Sequence, residues 1–251
     1  MQRPTINQLR YFLKDTIRKT IDFKNTAQSR GEPAPLIQKP YDPGAQLISL
    51  TSYNKISCIQ KISLNQAINN RRSRRSYTAE YLNLEELSYL LYVTQGIRIK
   101  LSDFEALRTV PSAGARHSLE TYICVNKIKD LKQGIYRYLP VEHKLILHRS
   151  LNNLSSRLTY AAFGQEFVGN AAVAFIWTTI PYRMEWRYGM AAYKAILLDA
   201  GHVCQNLYLA VEDIGCGTCA VAAYDQEAMD QLLELNTEEE FVIYLAPVGK
   251  L

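Results

Sequence analysis

No run among the 251 residues approaches the roughly 20 consecutive apolar positions that a membrane-spanning helix needs. The opening stretch MQRPTINQLRYFLKDTIRKT likewise holds no apolar segment fit for a secretory signal. These absences lead us to expect a cytoplasmic protein with no membrane partner. Cysteine is sparse and odd in number. Cys58, Cys124, Cys204, Cys216 and Cys219 do not make a disulfide scaffold in a chain this long, so reduced thiols are expected. A strong surplus of one charge is also missing. The 29 basic and 24 acidic residues leave a net charge of +5 spread along the chain, too mild a balance for a nucleic-acid partner. None of the glycines falls into a GxGxxG that opens a helix or into a Walker loop, which excludes a tightly held dinucleotide. Cys216 and Cys219 form a CxxC without a second pair to complete a zinc site. They follow a helical stretch instead of opening one, so neither a metal nor a dithiol function is expected.

What is present is a chain able to fold around a sizeable core, with 47% of its residues apolar. Leu9, Phe12, Leu13, Ile17 and Ile21 recur at helical spacing and predict an amphipathic helix over residues 7–21. GEPAPLIQKPYDPG, residues 31–44, holds four prolines and predicts an extended arm lying over a surface. Residues 1–60 therefore read as an appendage, and 61–251 as the main domain. LNLEELSYLLYVTQGI predicts a helix closed by Gly96. LETYICVN, GIYRYLP and HKLILHR read as a strand followed by a hairpin. AAVAFIWTT and EFVIYLAPV read as strands buried on both faces of a central sheet. The long stretch YGMAAYKAILLDAGHVCQNLYLAVEDIG is apolar on nearly every side, as expected of a helix covered by the core or by another subunit. Within it, His202, Gln205 and Asn206 read as hydrogen-bonded core or subunit-seam positions, not metal ligands. Strands and helices interleave without regular alternation or internal repeat, which indicates an α+β fold.

Three segments carry candidate chemistry. RRSRRSYT, residues 71–78, places four arginines in five positions. Guanidinium groups and a serine hydroxyl converging on one phosphate would form charge-assisted, partly bidentate bonds, and a solvated basic loop at a helix end remains equally open. TVPSAGARHSLETY, residues 109–122, clusters small residues before a strand. Ala113, Gly114 and Ala115 allow close backbone approach to a flat ligand, with Ser112 and Arg116 offering hydrogen bonds at its rim. An ordinary turn accounts for them as well. GCGTCAVAAYD, residues 215–225, strings small residues along an extended stretch that can line a planar ring with backbone amides.

Taken in order, RRS, PSAGARH, the YG-to-AGHVCQNLYLA helix, GCGTCAVAAYD and the closing APVG resemble the nitroreductase-like flavoproteins. The SagB-type dehydrogenase branch is the best match, and the resemblance spans roughly residues 60–250. It implies a central mixed sheet flanked by helices and a homodimer with flavin mononucleotide (FMN) at the subunit interface. Carried over by position, Arg71, Ser73 and Arg75 match phosphate contacts, with Arg72 beside them and Lys250 as a further one. Pro111, Ser112, Ala113 and Gly114 match a loop reaching the flavin of the other subunit. Ala220, Val221, Ala222 and Ala223 match the segment whose backbone faces the ring. Branch members that oxidise azolines carry a lysine-tyrosine pair where this chain has Arg187 and Tyr188. A guanidinium stays charged and cannot act as the general base that a tuned lysine can. The expected activity is ping-pong hydride transfer from NAD(P)H through flavin N5 to an acceptor, with Arg187 and Tyr188 as active-site candidates. A dehydrogenase acting on a heterocycle in a modified peptide, reoxidised by oxygen, is the alternative, and a non-catalytic flavin-binding module is a second.

Overall fold

The computed structural model describes residues 3–251. At its centre is a seven-stranded sheet in the order β1-β6-β5-β4-β7-β9-β8, with β1 at Leu47–Ser49, β4 at Leu119–Val125, β5 at Gly134–Leu139, β6 at Lys144–Arg149, β7 at Val173–Thr179, β8 at Cys216–Thr218 and β9 at Phe241–Lys250. Every ladder in it is antiparallel. Parallel pairing enters only through the isolated bridges Ser73–Thr218 and Leu82–Ile128. β2 (Ile97–Lys100) and β3 (Ala106–Arg108) form a separate two-stranded ribbon.

Alternation along the strands fixes three layers. In β7, Val173, Phe175 and Trp177 join the core beneath α3 (Leu84–Gln95) and α7 (Ala192–Glu212). Ala174 and Ile176 point the other way, into the core under α4 (Leu154–Ala161), α5 (Glu166–Asn170) and α8 (Gln226–Leu232). β7 is buried along its whole length, as its apolar run predicted. β4, read only as a strand before a hairpin, is buried throughout as well, whereas β9, also expected to be buried on both faces, is only partly buried over residues 241–244. α2 (Leu64–Asn70) and α6 (Tyr182–Tyr188) flank α7 and carry the polar segments of interest.

The N-terminal region departs from expectation. α1 spans only Ile6–Leu13, opened by a Thr5/Gln8 capping box. Lys14 is extended, and a 3-10 turn follows over Asp15–Thr20. Asp15 takes the Arg18 guanidinium at 2.8 Å, and the Asp-Thr pair favours such local bonding over a helix interior. No residue of α1 is buried. The proline-rich arm does lie over a surface: Gln38 and Tyr41 bond Glu142, and the Lys39 N–H donates to Glu120 at 2.8 Å. Gly96 closes α3 in an extended conformation, not a left-handed one. Its role is close approach, because a β-carbon there would sit 2.6 Å from the Tyr92 carbonyl oxygen.

Candidate functional site

The arginine segment follows the capping box of α2, where the Ser63 side chain accepts from the Gln66 N–H, and runs along the sheet edge beside β8. The Arg74 N–H donates to the Thr218 carbonyl at 2.9 Å, and the Thr78 N–H to Lys250 at 2.9 Å. Two glycines paired across the strands, Gly217 and Gly249, make room for it. A β-carbon on Gly217 would lie 2.7 Å from the Arg74 stem, and one on Gly249 would lie 2.6 Å from the Tyr77 ring. Their small size therefore seats this segment.

Tyr208, on α7, ties two of the segments together. Its hydroxyl accepts the Ala220 N–H at 2.8 Å and lies 3.0 Å from the Ser73 hydroxyl, while the Arg71 guanidinium sits over its ring at 5.4 Å. Arg75 lies over Phe167 at 5.9 Å. Arg72 turns back, donating to the Asn69 and Arg71 carbonyls. None of Arg71, Arg72, Arg74 and Arg75 has a carboxylate partner within ion-pair distance among the described residues. Glu212 feels them. Burial pushes its carboxyl up, against the pull of Arg74, Arg71 and Arg72. Beyond Ala220, the Val221 N–H bonds Leu245, and the Ala223 carbonyl accepts from Gln165. The Ala222 and Ala223 amides are exposed and have no acceptor among the described residues.

A second group gathers at the other end of α7. Gly114 has a positive φ of 57° and packs against the Tyr188 hydroxyl and the Arg187 side chain, so a β-carbon would collide with the hydroxyl and crowd the Arg187 side chain. Ser112 accepts the His117 N–H at 2.9 Å, and the Ala113 N–H reaches Asp199 Oδ1 at 3.3 Å. Beneath lies a buried ion network, in which Arg183 bonds Glu120 at 2.6 Å with both side chains at most 3% exposed. Burial raises the Glu120 carboxyl, but Arg183 and Arg137 outweigh this and hold it below its usual range. His117 is pushed down to about 3 by burial and by Arg108 and Arg116.

Three expectations need correction. Arg116 is not at a rim: it is buried, stacks on Trp186 at 4.8 Å and donates to the Arg183 carbonyl. Lys250 is held by Glu86 and the Ile214 carbonyl, so its ammonium is already engaged. Of the two readings for His202 and Gln205, the core one does not hold, because both lie on the exposed face of α7, while Asn206 donates to the Val93 carbonyl. A cavity of about 790 Å³ between the Pro35–Pro40 stretch, α6 and the turn before β9 is lined by none of the candidate site residues. Tyr208 and Asp199 escaped the sequence reading because a tyrosine and an aspartate inside an apolar helix carry no local motif. Arg74 sat within one that was read for its neighbours.

The sequence pattern of the nitroreductase family matches residues 68–250. The chain belongs to the nitroreductase family. A Methanocaldococcus jannaschii protein named as a nitroreductase is 32% identical over 193 residues, 76% of this chain and 93% of its own. The trifolitoxin-processing protein TfxB of Rhizobium leguminosarum is 27% identical across 60% of this chain, which spans 41% of that protein. Among solved structures, a nitroreductase-fold protein from Anabaena variabilis superimposes with a TM-score of 0.75 at 25% identity over the whole chain, which covers 48% of that protein. One from Exiguobacterium sibiricum, solved in complex with FMN, has a TM-score of 0.56 at 12% identity over 76% of this chain and 89% of its own. This nitroreductase-family chain is thus an oxidoreductase by descent, with its residues of interest divided between the two ends of α7.

Proposed function

We propose that the protein is an FMN-dependent oxidoreductase that works by ping-pong hydride transfer from NAD(P)H to an acceptor, with the flavin held between two copies of the chain. The observation that carries this reading is the unpaired arginine cluster on the sheet edge, joined through Ser73 and Tyr208 to the Ala220 backbone. Several guanidinium groups with no carboxylate partner suit a doubly charged phosphate, whose oxygens accept charge-assisted bonds. A protein of the same fold from Exiguobacterium sibiricum was solved in complex with FMN, which supports FMN as the group that carries the phosphate. Bound FMN supplies two-electron carriage at N5.

The chain's own residues do the rest. Arg71, Ser73 and Arg75 would hold the phosphate, with Arg74 beside them. The free Ala222 and Ala223 amides would offer donors to the ring, preorganised because Val221 on one side and the Ala223 carbonyl on the other are already bonded. Tyr208 fixes the spacing between the two. The Pro111–Gly114 loop, with Arg187 and Tyr188 packed on it, lies elsewhere in the same chain. Asp199 and Tyr208 are nine residues apart, about 13 Å along the helix axis. A two-fold copy whose α7 crosses this one brings the loop of one chain to the arginines of the other, and the stripe Tyr193, Leu197 and Leu198, 44–57% exposed, is the surface it would cover.

Replacing Arg71 and Arg75 with alanine tests the assignment. Each charge-assisted bond contributes roughly 1.5–3 kcal/mol, so FMN affinity should fall at least 100-fold while the circular dichroism spectrum is unchanged. A yellow double variant of undiminished FMN affinity would sink the phosphate assignment. The likeness to a trifolitoxin-processing protein favours a second reading, a dehydrogenase acting on a modified peptide. Flavin that forms in the purified protein yet resists anaerobic reduction by both NADH and NADPH would make that reading the better one.

A further inference from the structure

Asp199 is 5% exposed, and among the described residues its Oδ2 is the one buried carboxylate oxygen without a hydrogen-bond partner. Such an atom costs stability, and an asparagine of the same shape would avoid burying a charge there. Its position beneath the Ser112–Gly114 loop supplies the reason to keep an acid. Oδ1 accepts the Ala113 N–H, the Ser112 hydroxyl and His202 also favour its ionised form, and the next residue in the loop is the glycine on which Tyr188 and Arg187 pack.

We propose that Asp199 is a positioning residue that exchanges a proton: ionised, it draws the Ser112–Gly114 loop onto α7, and protonated at Oδ2 it releases that loop. The proton comes from water: an O–H bond forms at Oδ2 as one breaks in hydronium, and no electrons are exchanged. The groups facing the carboxyl are few. His202 acts from α7 itself, the neutral Ser112 and Ala113 act from the loop, and Arg187 and Tyr188 lie across Gly114 at the end of α6. Burial pushes the carboxyl above its ordinary value, in the direction that brings its titration nearer to neutral pH. That the moving loop belongs to a flavin site rests on the function proposed above. The loop's response to Asp199 does not.

The test is a pH titration of the Ala113 amide by ¹⁵N NMR in the full chain, first without and then with FMN. The expected result is a midpoint above the ordinary aspartate value of about 3.9, lost in Asp199→Asn and moved upward in His202→Gln, which removes the cation favouring the carboxylate. An Ala113 amide that does not titrate, or that titrates identically in Asp199→Asn, overturns the proposal whether or not flavin binds. A thermal series gives a second readout. A raised folded value means the cost of burying the charge is absent below the unfolded aspartate value and grows as pH rises through the folded one. Asp199→Asn should therefore melt about 2–4 °C above the parent at pH 8 and level with it at pH 3.5. A variant that melts lower than the parent at pH 8 counts against an acid kept at a cost. With FMN bound, the pH profile of flavin reduction should lose one ionisation in Asp199→Asn, a change that a purely structural role would not produce.

Discussion

Tyr208 shows how much one hydroxyl can organise. It is the acceptor for the Ala220 N–H and the neighbour of the Ser73 hydroxyl, so the arginine segment and the stretch that begins at Ala220 share a single side chain. Tyr208→Phe leaves the Ala220 N–H without its acceptor at a cost of about 1–3 kcal/mol. The expected outcome is a clear fall in FMN affinity with a smaller fall in melting temperature, measured by flavin fluorescence titration and calorimetry. If affinity is unchanged, the hydroxyl does not set the spacing of the two segments. At this same scale, the arginines were visible from composition, whereas Tyr208 was indistinguishable from its apolar neighbours until the fold aimed its ring.

At the scale of elements, α7 carries the argument. Ile196, Ala200, Val203, Cys204 and Leu207 face the core, while Leu197 and Leu198 stay open to solvent at 50% and 57%. Gly201 sits in the open face with nothing within 4 Å of where its β-carbon would be. A mid-helix glycine costs about 1 kcal/mol, and nothing within the chain requires this one. Close approach of a second α7 would. Gly201→Leu should therefore strengthen the isolated helix yet shift the particle toward the mass of one chain, as read by light scattering at micromolar concentration. A dimer of unchanged affinity would place the crossing elsewhere. The all-round apolar pattern of this helix was legible in the sequence, but which side meets the core and which stays open depends on how the sheet packs beneath it.

The whole molecule has an acid-sensitive interior. His117, held to about 3, is neutral when folded. Unfolded chains take up its proton below about pH 6.5 while the folded state does not, so stability falls as pH drops through that window by roughly 1.4 kcal/mol per unit. His117→Asn should flatten the dependence of the urea midpoint between pH 6.5 and 4. Glu120 works in the same direction lower down, since a depressed carboxylate stabilises the fold above its unfolded value and loses that contribution as pH falls through the folded one. Glu120→Gln strands the Arg183 charge in the interior and should cost about 3–5 kcal/mol at pH 7.

The succession of strands and helices along the chain, the two-sided burial of β7 and the family resemblance were all written in local patterns, because apolar periodicity and small-residue spacing act within a few residues of chain. Residues 71–75 raised the expectation of an anion site for the same reason: charge density is a property of composition. What tertiary structure alone decided is the division of the site. Gly217 and Gly249 became seats for Arg74 and Tyr77, Arg116 went inside against Trp186, Lys250 was taken by Glu86, and Asp199 was buried under a loop more than 80 residues away in sequence. Each depends on long-range contacts, and a contact between distant residues leaves no periodic trace in either segment.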